Sequence, residues 1–378
     1  MIVLVNVFQF ILTVSVIAYL TENMFHLVKA EPVAGPLPSN PLVSICVPAR
    51  NEERNIEACL QSLLNQDYPN FEVIVLDDNS TDGTAGIIQS MTKNHPNLVF
   101  ISGKPLPGGW IGKPYSLHQA YQKTQGEYLL FTDADPVFQP HALTSAMHLA
   151  LEKKVDLLTL MPRAEFGSFW ERTIQPVIFG FIVALTRFKR VHSDEHPDAM
   201  GFGAFLLFKK TTYQQFGGHA RVKDEVLEDV ILARQVKRAG GSILIADAKT
   251  LFSIRMYHSF EEIWSGWRKN MFIALKRSVL RTLYYICAIL GFVVTPYLVI
   301  LADLWVAMGM GWTALSLAGL MMVLITGAAL CDELAMERRY VFMFPLGAVV
   351  MVLIMLNSMF QILILQQTEW RGRVYKEG

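Results

Sequence analysis

Asp133-Ala-Asp135 has the clearest chemistry in this sequence. Two carboxylates one residue apart at a strand end suit a hard divalent cation, which binds through oxygen and bridges phosphates. Aspartate is also common in turns, so the same pair reads alternatively as a strand-to-helix connection. Asp77-Asp78 closes an earlier apolar run, and a carboxylate there can accept hydrogen bonds from a base N–H or from ribose hydroxyls. Ser80, Asp82 and Thr84 follow it and suit the shaping of the turn and the capping of the next helix. Glu228-Asp229 opens the helical run Val230–Val236. Acids at a helix start are ordinarily dipole and cap partners; the chemical reading is a general base at Asp229 that removes a proton from an acceptor hydroxyl.

Two cationic segments accompany the acids. Gly108-Gly-Trp-Ile-Gly-Lys113 surrounds one lysine with mobile backbone, and Lys113 reads either as a phosphate contact or as a solvated side chain. The GxxxxGK[ST] spacing of a P-loop is absent. In Trp264-Ser-Gly-Trp-Arg-Lys-Asn270, Arg268 and Lys269 either meet a diphosphate or anchor to lipid headgroups beside the indoles.

The elements that must position these residues alternate between strand and helix. Leu42–Val47, Phe71–Leu76, Leu98–Ile101 and Glu127–Thr132 are short apolar runs of strand type, the first ended by Pro48. Between them Ile56, Leu60, Leu63 and Leu64 fall at helical spacing, and a second helix runs from Thr84 to about Lys93. The pattern predicts an α/β fold with a mainly parallel sheet flanked by helices. In such sheets ligands bind beyond the carboxyl ends of the strands, where Asp77-Asp78 and Asp133-Ala-Asp135 both fall. No GxGxxG follows the first strand, which argues against a dinucleotide-binding dehydrogenase.

The composition belongs to a membrane protein with a large polar part: 52% of the 378 residues are hydrophobic and 17% charged. Basic and acidic residues balance at 33 each, so no basic face for nucleic acid is indicated. The four cysteines show no CxxC spacing and no disulfide framework. Residues 1–21 carry no charge and are long enough for a retained amino-terminal anchor (residues 1–22), with Asn6 and Gln9 as unusual polar members. Three further uncharged runs, Thr282–Ala302, Leu304–Cys331 and Val341–Thr368, give three spans within 282–368, followed by a polar tail at 369–378. The catalytic domain is expected at 31–281, after the proline-rich spacer Glu31–Pro41. Within it the uncharged run Thr173–Thr186, followed by Arg187, Lys189 and Arg190, reads as an interfacial helix near 168–190 or as a buried core helix. The expected location is the bacterial cell membrane, multi-pass, with the catalytic domain facing the cytoplasm. The positive-inside rule marks both the Arg338-Arg339 loop and the tail with Arg371, Arg373 and Lys376 as cytoplasmic, although one span separates them.

Taken together, Val47-Pro-Ala-Arg-Asn-Glu52, Leu76-Asp-Asp-Asn-Ser-Thr-Asp-Gly-Thr84, Thr132-Asp-Ala-Asp135, Gly201-Phe-Gly-Ala-Phe205, Gly217-Gly218 and Glu228-Asp229 resemble the family 2 glycosyltransferases over roughly Val43 to Asn270. The resemblance implies a GT-A nucleotide-diphospho-sugar transferase domain. It gives Ala49, Glu52 and Asp78 to the nucleotide, Asp135 with Asp133 to a divalent cation (Mg2+ or Mn2+), and Asp229 to the base, with Glu228 beside it. Lys113, Asp133 and Arg268 complete the expected donor contacts. Gly109–Lys113, Trp264–Asn270 and Trp370-Arg-Gly-Arg-Val-Tyr375 are similar to the lipid-directed branch, the hopanoid-associated and carotenoid glycosyltransferases. The implied activity is inverting transfer of one sugar, a hexose such as glucose, from a nucleotide-diphospho-sugar (a UDP-sugar) to a hydroxyl or carboxyl of a membrane lipid. The Gln-x-x-Arg-Trp motif of processive polysaccharide synthases is missing, which argues against a polymerase. A nucleotidyl- or phosphosugar-transferase on a similar sheet is the alternative. A transporter would need ionisable residues inside the spans and is disfavoured, because the runs after Arg281 have only Asp303, near an edge.

Overall fold

The computed structural model of the protein describes every residue except Met1, Ala34, Pro36, Pro38, Met308, Arg371, Gly372, Glu377 and Gly378. In chain order the helices are α1 (Ile2–Phe25), α2 (Ile56–Leu64), α3 (Thr84–Thr92), α4 (Gly112–Tyr121), α5 (Ala142–Lys153), α6 (Phe169–Leu185), α7 (Phe188–His192), α8 (Lys210–Gln215), α9 (Glu228–Arg238), α10 (Phe260–Ala274), α11 (Val279–Ile289), α12 (Thr295–Val306), α13 (Met310–Glu333) and α14 (Phe344–Phe360). The main strands are β1 (Val28–Lys29), β2 (Val43–Ala49), β3 (Phe71–Asp77), β4 (Leu98–Ser102), β5 (Tyr128–Phe131), β6 (Val137–Phe138), β7 (Leu157–Met161), β8 (Arg163–Ala164), β9 (Leu206–Lys209), β10 (Ile243–Asp247) and β11 (Phe252–Ile254). Two compact units share them. One comprises His26–Glu165 and Arg187–Met256; the other comprises Met1–Phe25, Phe166–Thr186 and Tyr257–Gly378.

The first unit is built on an eight-stranded sheet in the order β1-β10-β7-β9-β5-β2-β3-β4. Its central strands are apolar and β-branched because parallel strands are covered on both faces; Ile45, Val47, Val73, Val75, Leu130 and Leu158 are buried in one core. Every neighbouring pair is parallel except those of β9, which runs antiparallel to β5 and β7. That reversal matters for the site. Leu206 opens β9 opposite Phe131, the last residue of β5, so the chain enters β9 at the edge where β5 leaves the sheet. Pro48 does not end its strand as the sequence predicts: β2 continues to Ala49. Beyond Cys46 the strand pairs with β3 alone, β5 having ended, so the proline sits where one side of the ladder is already vacant. A smaller sheet, β6-β11-β8, completes the unit.

The second unit holds four helical stretches long and apolar enough to cross a membrane: Val3–Phe25, Val279–Val306, Met310–Glu333 and Arg338–Leu365. Large apolar side chains such as Phe8, Leu301 and Trp305 are exposed along them, a surface suited to lipid and not to water. A π-helical turn at Leu290–Val294 joins α11 to α12 just before Pro296, where the proline removes a backbone donor. The polar residues of the first stretch turn inward: Asn6 Nδ2 donates to Asp303 Oδ2 at 2.8 Å, and Ser316 Oγ donates to the same oxygen. Three helices are thereby linked through one buried carboxylate. At the other end of α1, Asn23 Nδ2 donates to the carbonyls of Val183 and Thr186, and Tyr19 Oη to that of Ala184. Carbonyls at a helix end lack helical partners, and α1 satisfies those of α6.

α6 begins with a capping box between Ser168 and Glu171 and contains Pro176. It groups with the long helices, whereas Arg187, Lys189 and Arg190 lead into α7 of the sheet unit. The segment from Tyr257 through α10, with Trp264 and Asn270, also belongs to the unit of long helices. Past Leu365 the chain forms a short antiparallel pair, Gln367–Trp370 with Arg373–Lys376; Arg371 and Gly372 of the tail motif lie outside the described residues.

Close approach of α6 and α14 depends on Gly347, where an added Cβ would collide with the Thr173 carbonyl. Gly347→Ala is expected to cost about 1–3 kcal/mol, the usual range for overpacking, read as a lowered Tm of the detergent-solubilised protein. An unchanged Tm would count against this contact.

Candidate active site

The carboxyl ends of β2, β3 and β5 lie side by side, Ala49 opposite Asp77 and Cys46 opposite Phe131. Ala49 is buried and its carbonyl accepts from Asp78 N at 2.7 Å. Asn51 and Asn79 both take left-handed backbone conformations (φ 53° and 55°), which asparagine tolerates better than most residues. They let the loops after β2 and β3 fold against each other: Asn51 Oδ1 accepts from Thr81 N, and Asn51 N donates to Ser80 Oγ. Glu52 is buried, with its N–H donating to Thr84 Oγ1 at 2.8 Å. Asp82 caps the turn as its position implied, accepting from Thr84 N and Glu53 N. Asp78 is buried beneath this double loop, and Arg50 Nη1 donates to its carbonyl at 2.6 Å and to that of Asn79 at 3.2 Å. The sequence reading passed over Arg50; its signal was a lone cation inside an otherwise acidic set of strand ends.

Asp133 follows β5, and Thr132 Oγ1 donates to Ala204 O at 2.7 Å across to the entry of β9. That bond brings Gly201–Phe205 beside the aspartates. A Cβ on Gly203 would lie 2.9 Å from Lys113 Nζ, 3.3 Å from Asp229 Oδ2 and 3.5 Å from Asp133 Oδ2. A Cβ on Gly201 would come within 2.6 Å of the Asp229 carbonyl. Both glycines are needed for close approach rather than for flexibility. The Gly-x-Gly spacing was visible in the sequence, but nothing local revealed what it approaches.

Lys113 sits on the first turn of α4, not in a loop, and forms ion pairs with Asp133 Oδ1 at 2.6 Å and Glu228 Oε1 at 2.8 Å. Burial works against its charge, but Asp133, Glu228 and Asp229 hold its ammonium well above the usual lysine range. Asp229 stands at the start of α9 without capping it in the usual way. Its Oδ2 accepts from Gly203 N at 3.0 Å and its Oδ1 from Val230 N at 2.8 Å, so both oxygens are oriented by backbone. Burial and the neighbouring Glu228 push its carboxyl up to about 7, with Lys113 opposing. That is the range in which a carboxylate serves as a general base near neutral pH.

Behind the cluster, Gly218 (φ +55°) has the Tyr213 ring where a Cβ would be. Tyr213 Oη and His219 Nδ1 lie 2.7 Å apart, and burial with nearby Lys113 pushes His219 down to about 3, so it is neutral. The turn they hold is tied to the start of α4 by Ile111 N donating to Lys223 O at 2.7 Å. Trp110 of the glycine-rich segment packs on Tyr115 and His118.

Asp78, Lys113, Asp133, Glu228 and Asp229 therefore belong to one unit, with Lys113, Asp133, Glu228 and Asp229 in mutual reach. Asp135 lies two residues after Asp133 and is partly exposed. Arg268 lies on α10 of the unit of long helices. Among the described residues no three acidic, histidine or cysteine side chains converge as a metal cage. The available donors are carboxylate oxygens only, which fits a magnesium-type ion held by one or two carboxylates with substrate phosphates as further ligands.

Residues 44–217 match the family described as Glycosyl transferase family 2. Two curated relatives named 4,4'-diaponeurosporenoate glycosyltransferase, from Staphylococcus haemolyticus (strain JCSC1435) and Staphylococcus aureus (strain MRSA252), are each 26% identical over 232 residues, 61% of this chain. The chain spans about 60% of the length of these relatives. A mannosyltransferase from Pyrobaculum calidifontis, solved with GDP-Man and Mn2+, has a similar fold at TM-score 0.58 and 19% identity, covering 96% of this chain and 99% of that one.

The raised carboxyl of Asp229 has a stability consequence. Between its ordinary value of 3.8 and about 7, the folded state holds a proton that the unfolded state has lost, so stability falls as pH rises through that window. Asp229→Asn carries no such proton. Its Tm relative to the parent protein is expected to be more favourable at pH 8 than at pH 5, and a difference independent of pH would contradict the shift.

Proposed function

We propose, for a chain that carries a family 2 glycosyltransferase domain of GT-A fold at residues 44–217, that it moves one sugar from a nucleotide-diphospho-sugar to a membrane lipid with inversion. The observation that carries this reading is the Asp229 carboxylate, oriented by two backbone N–H groups and poised near 7, in reach of Asp133 at the same sheet edge. The donor is taken to be a UDP-hexose such as UDP-glucose, and the acceptor a lipid of carotenoid, hopanoid or glycolipid type. The relatives' name supports a carotenoid-type acceptor and their organisms a bacterial source, and the four long apolar helices support association with a membrane; in this reading the enzyme lies in the bacterial cell membrane with its catalytic unit facing the cytoplasm.

In this reading Ala49, Glu52 and Asp78 line the nucleotide, with the Asp78 carboxylate facing the base. Lys113 contacts the diphosphate. Asp133 and Asp135 hold a divalent cation, Mg2+ or Mn2+. When bound, that ion neutralises charge on the diphosphate leaving group. Asp229 takes the proton of the acceptor hydroxyl while its oxygen bonds to the anomeric carbon; the bond from that carbon to the diphosphate breaks, and the nucleoside diphosphate leaves. Glu228 keeps Lys113 in the site and raises the basicity of Asp229. Of the two acceptor groups, Asp229 serves a hydroxyl, because a carboxylate has no proton to remove at neutral pH.

Membranes incubated with labelled nucleotide sugars should yield a labelled lipid, identified by mass spectrometry, and release nucleoside diphosphate. Release of pyrophosphate would point instead to nucleotidyl transfer, and a polymeric product to a processive synthase. Asp229→Asn is expected to lower kcat by about 10²–10⁴ while donor binding is largely kept, and kcat/KM should fall below pH 7 as the base takes up its proton. Turnover near that of the parent protein would remove Asp229 from the role.

A further inference from the structure

Lys113 has no local reason to be where it is. The first turn of a helix carries the positive end of the dipole, which disfavours a lysine, and α4 begins only at Gly112. Its partners come from two distant parts of the chain: Asp133 after β5, at 2.6 Å, and Glu228 at the start of α9, at 2.8 Å. Glu228 is almost entirely buried, with 6% of its side chain exposed, whereas Asp133 retains 32%. One partner is therefore an inner anchor and the other opens toward solvent. Asp133 is also one of the two carboxylates proposed above to hold a divalent cation, so the ammonium on its Oδ1 and that ion would compete for the negative charge of one carboxylate. A divalent ion on that carboxylate would set like charges close together in a part-buried site, an unfavourable contact while the ammonium stays in place.

We propose that Lys113 is a displaceable counter-ion: in the donor-free protein its ammonium occupies the cation's place on Asp133, and it yields that carboxylate only when a nucleoside diphosphate supplies a new anionic partner. The inference rests on the reading of a cation-assisted nucleotide-sugar site and adds to it an order of events. Without donor, Lys113 neutralises Asp133 and excludes the divalent ion. With donor, the diphosphate takes the ammonium, Asp133 turns to the metal, and Glu228 keeps the lysine from leaving the site. Cation and donor are then coupled, and the coupling is reciprocal by linkage. Gly203 leaves the space for this exchange, since any side chain there would press on the ammonium from 2.9 Å.

The test is Mn2+ binding to the full-length protein in detergent, followed by electron paramagnetic resonance, alone and with UDP or GDP. In the parent protein the nucleotide is expected to tighten Mn2+ binding by about tenfold or more, within the usual range of site coupling. Lys113→Met should bind Mn2+ alone about tenfold more tightly than the parent and lose most of the coupling. Lys113→Arg keeps the charge and should keep the weak binding of Mn2+ alone. If Lys113→Met binds Mn2+ alone no more tightly, or tightens it equally with and without nucleotide, displacement is refuted and a general charge effect remains. If Lys113→Met does not fold, Lys113→Arg decides: tighter binding of Mn2+ alone refutes the proposal, and binding as weak as in the parent supports it. Absence of Mn2+ binding to the parent protein with either nucleotide would instead overturn the underlying reading of the site.

Discussion

Three carboxylates and one ammonium meet at a single sheet edge, and the rest of the sheet unit is arranged around keeping them there. Glu228 and Asp229 are adjacent acids in a poorly solvated place, a costly arrangement unless a cation compensates. Lys113 compensates by reaching Glu228 and Asp133 together. It does so incompletely, because Asp229 is held by backbone N–H groups rather than by the ammonium. Burial, added to by repulsion from Glu228, is what raises the affinity of Asp229 for a proton.

Delivering four side chains from three regions of sequence to one point is a topological matter. The parallel order of β2, β3 and β5 brings their carboxyl ends to one edge, so the acids after β3 and β5 share it. The antiparallel strand β9 then brings its own entry segment back to the same edge. Gly201 and Gly203 lie on that segment, and their lack of side chains allows Asp229 and Lys113 to close in. A sheet with β9 parallel would have placed those glycines at the opposite end.

The unit of long helices follows a different logic. Its outer surface is apolar, so helix-to-helix specificity comes from small residues and from polar groups turned inward. Gly347 against Thr173 is the first kind, and Asn6 with Ser316 on Asp303 is the second. Asp303, the one acid between the uncharged runs Thr282–Ala302 and Leu304–Cys331, thus has a structural partnership within its own unit.

Much of the sheet unit was legible in the sequence because parallel strands must be apolar on both faces and must end in polar turns. Those rules alone located the strands, the acids at their ends and the sheet class. Uncharged runs long enough to cross a bilayer were equally plain, since charge is so costly in lipid that its absence is itself a signal. The tertiary structure decided what depends on chain segments far apart meeting. It moved Lys113 from a loop to a helix start, carried β2 through Pro48, and added Arg50 and Gly203 to the site. It also turned Asn6 toward Asp303. Each of these rests on a partner tens to hundreds of residues away, and local pattern carries no information about such partners.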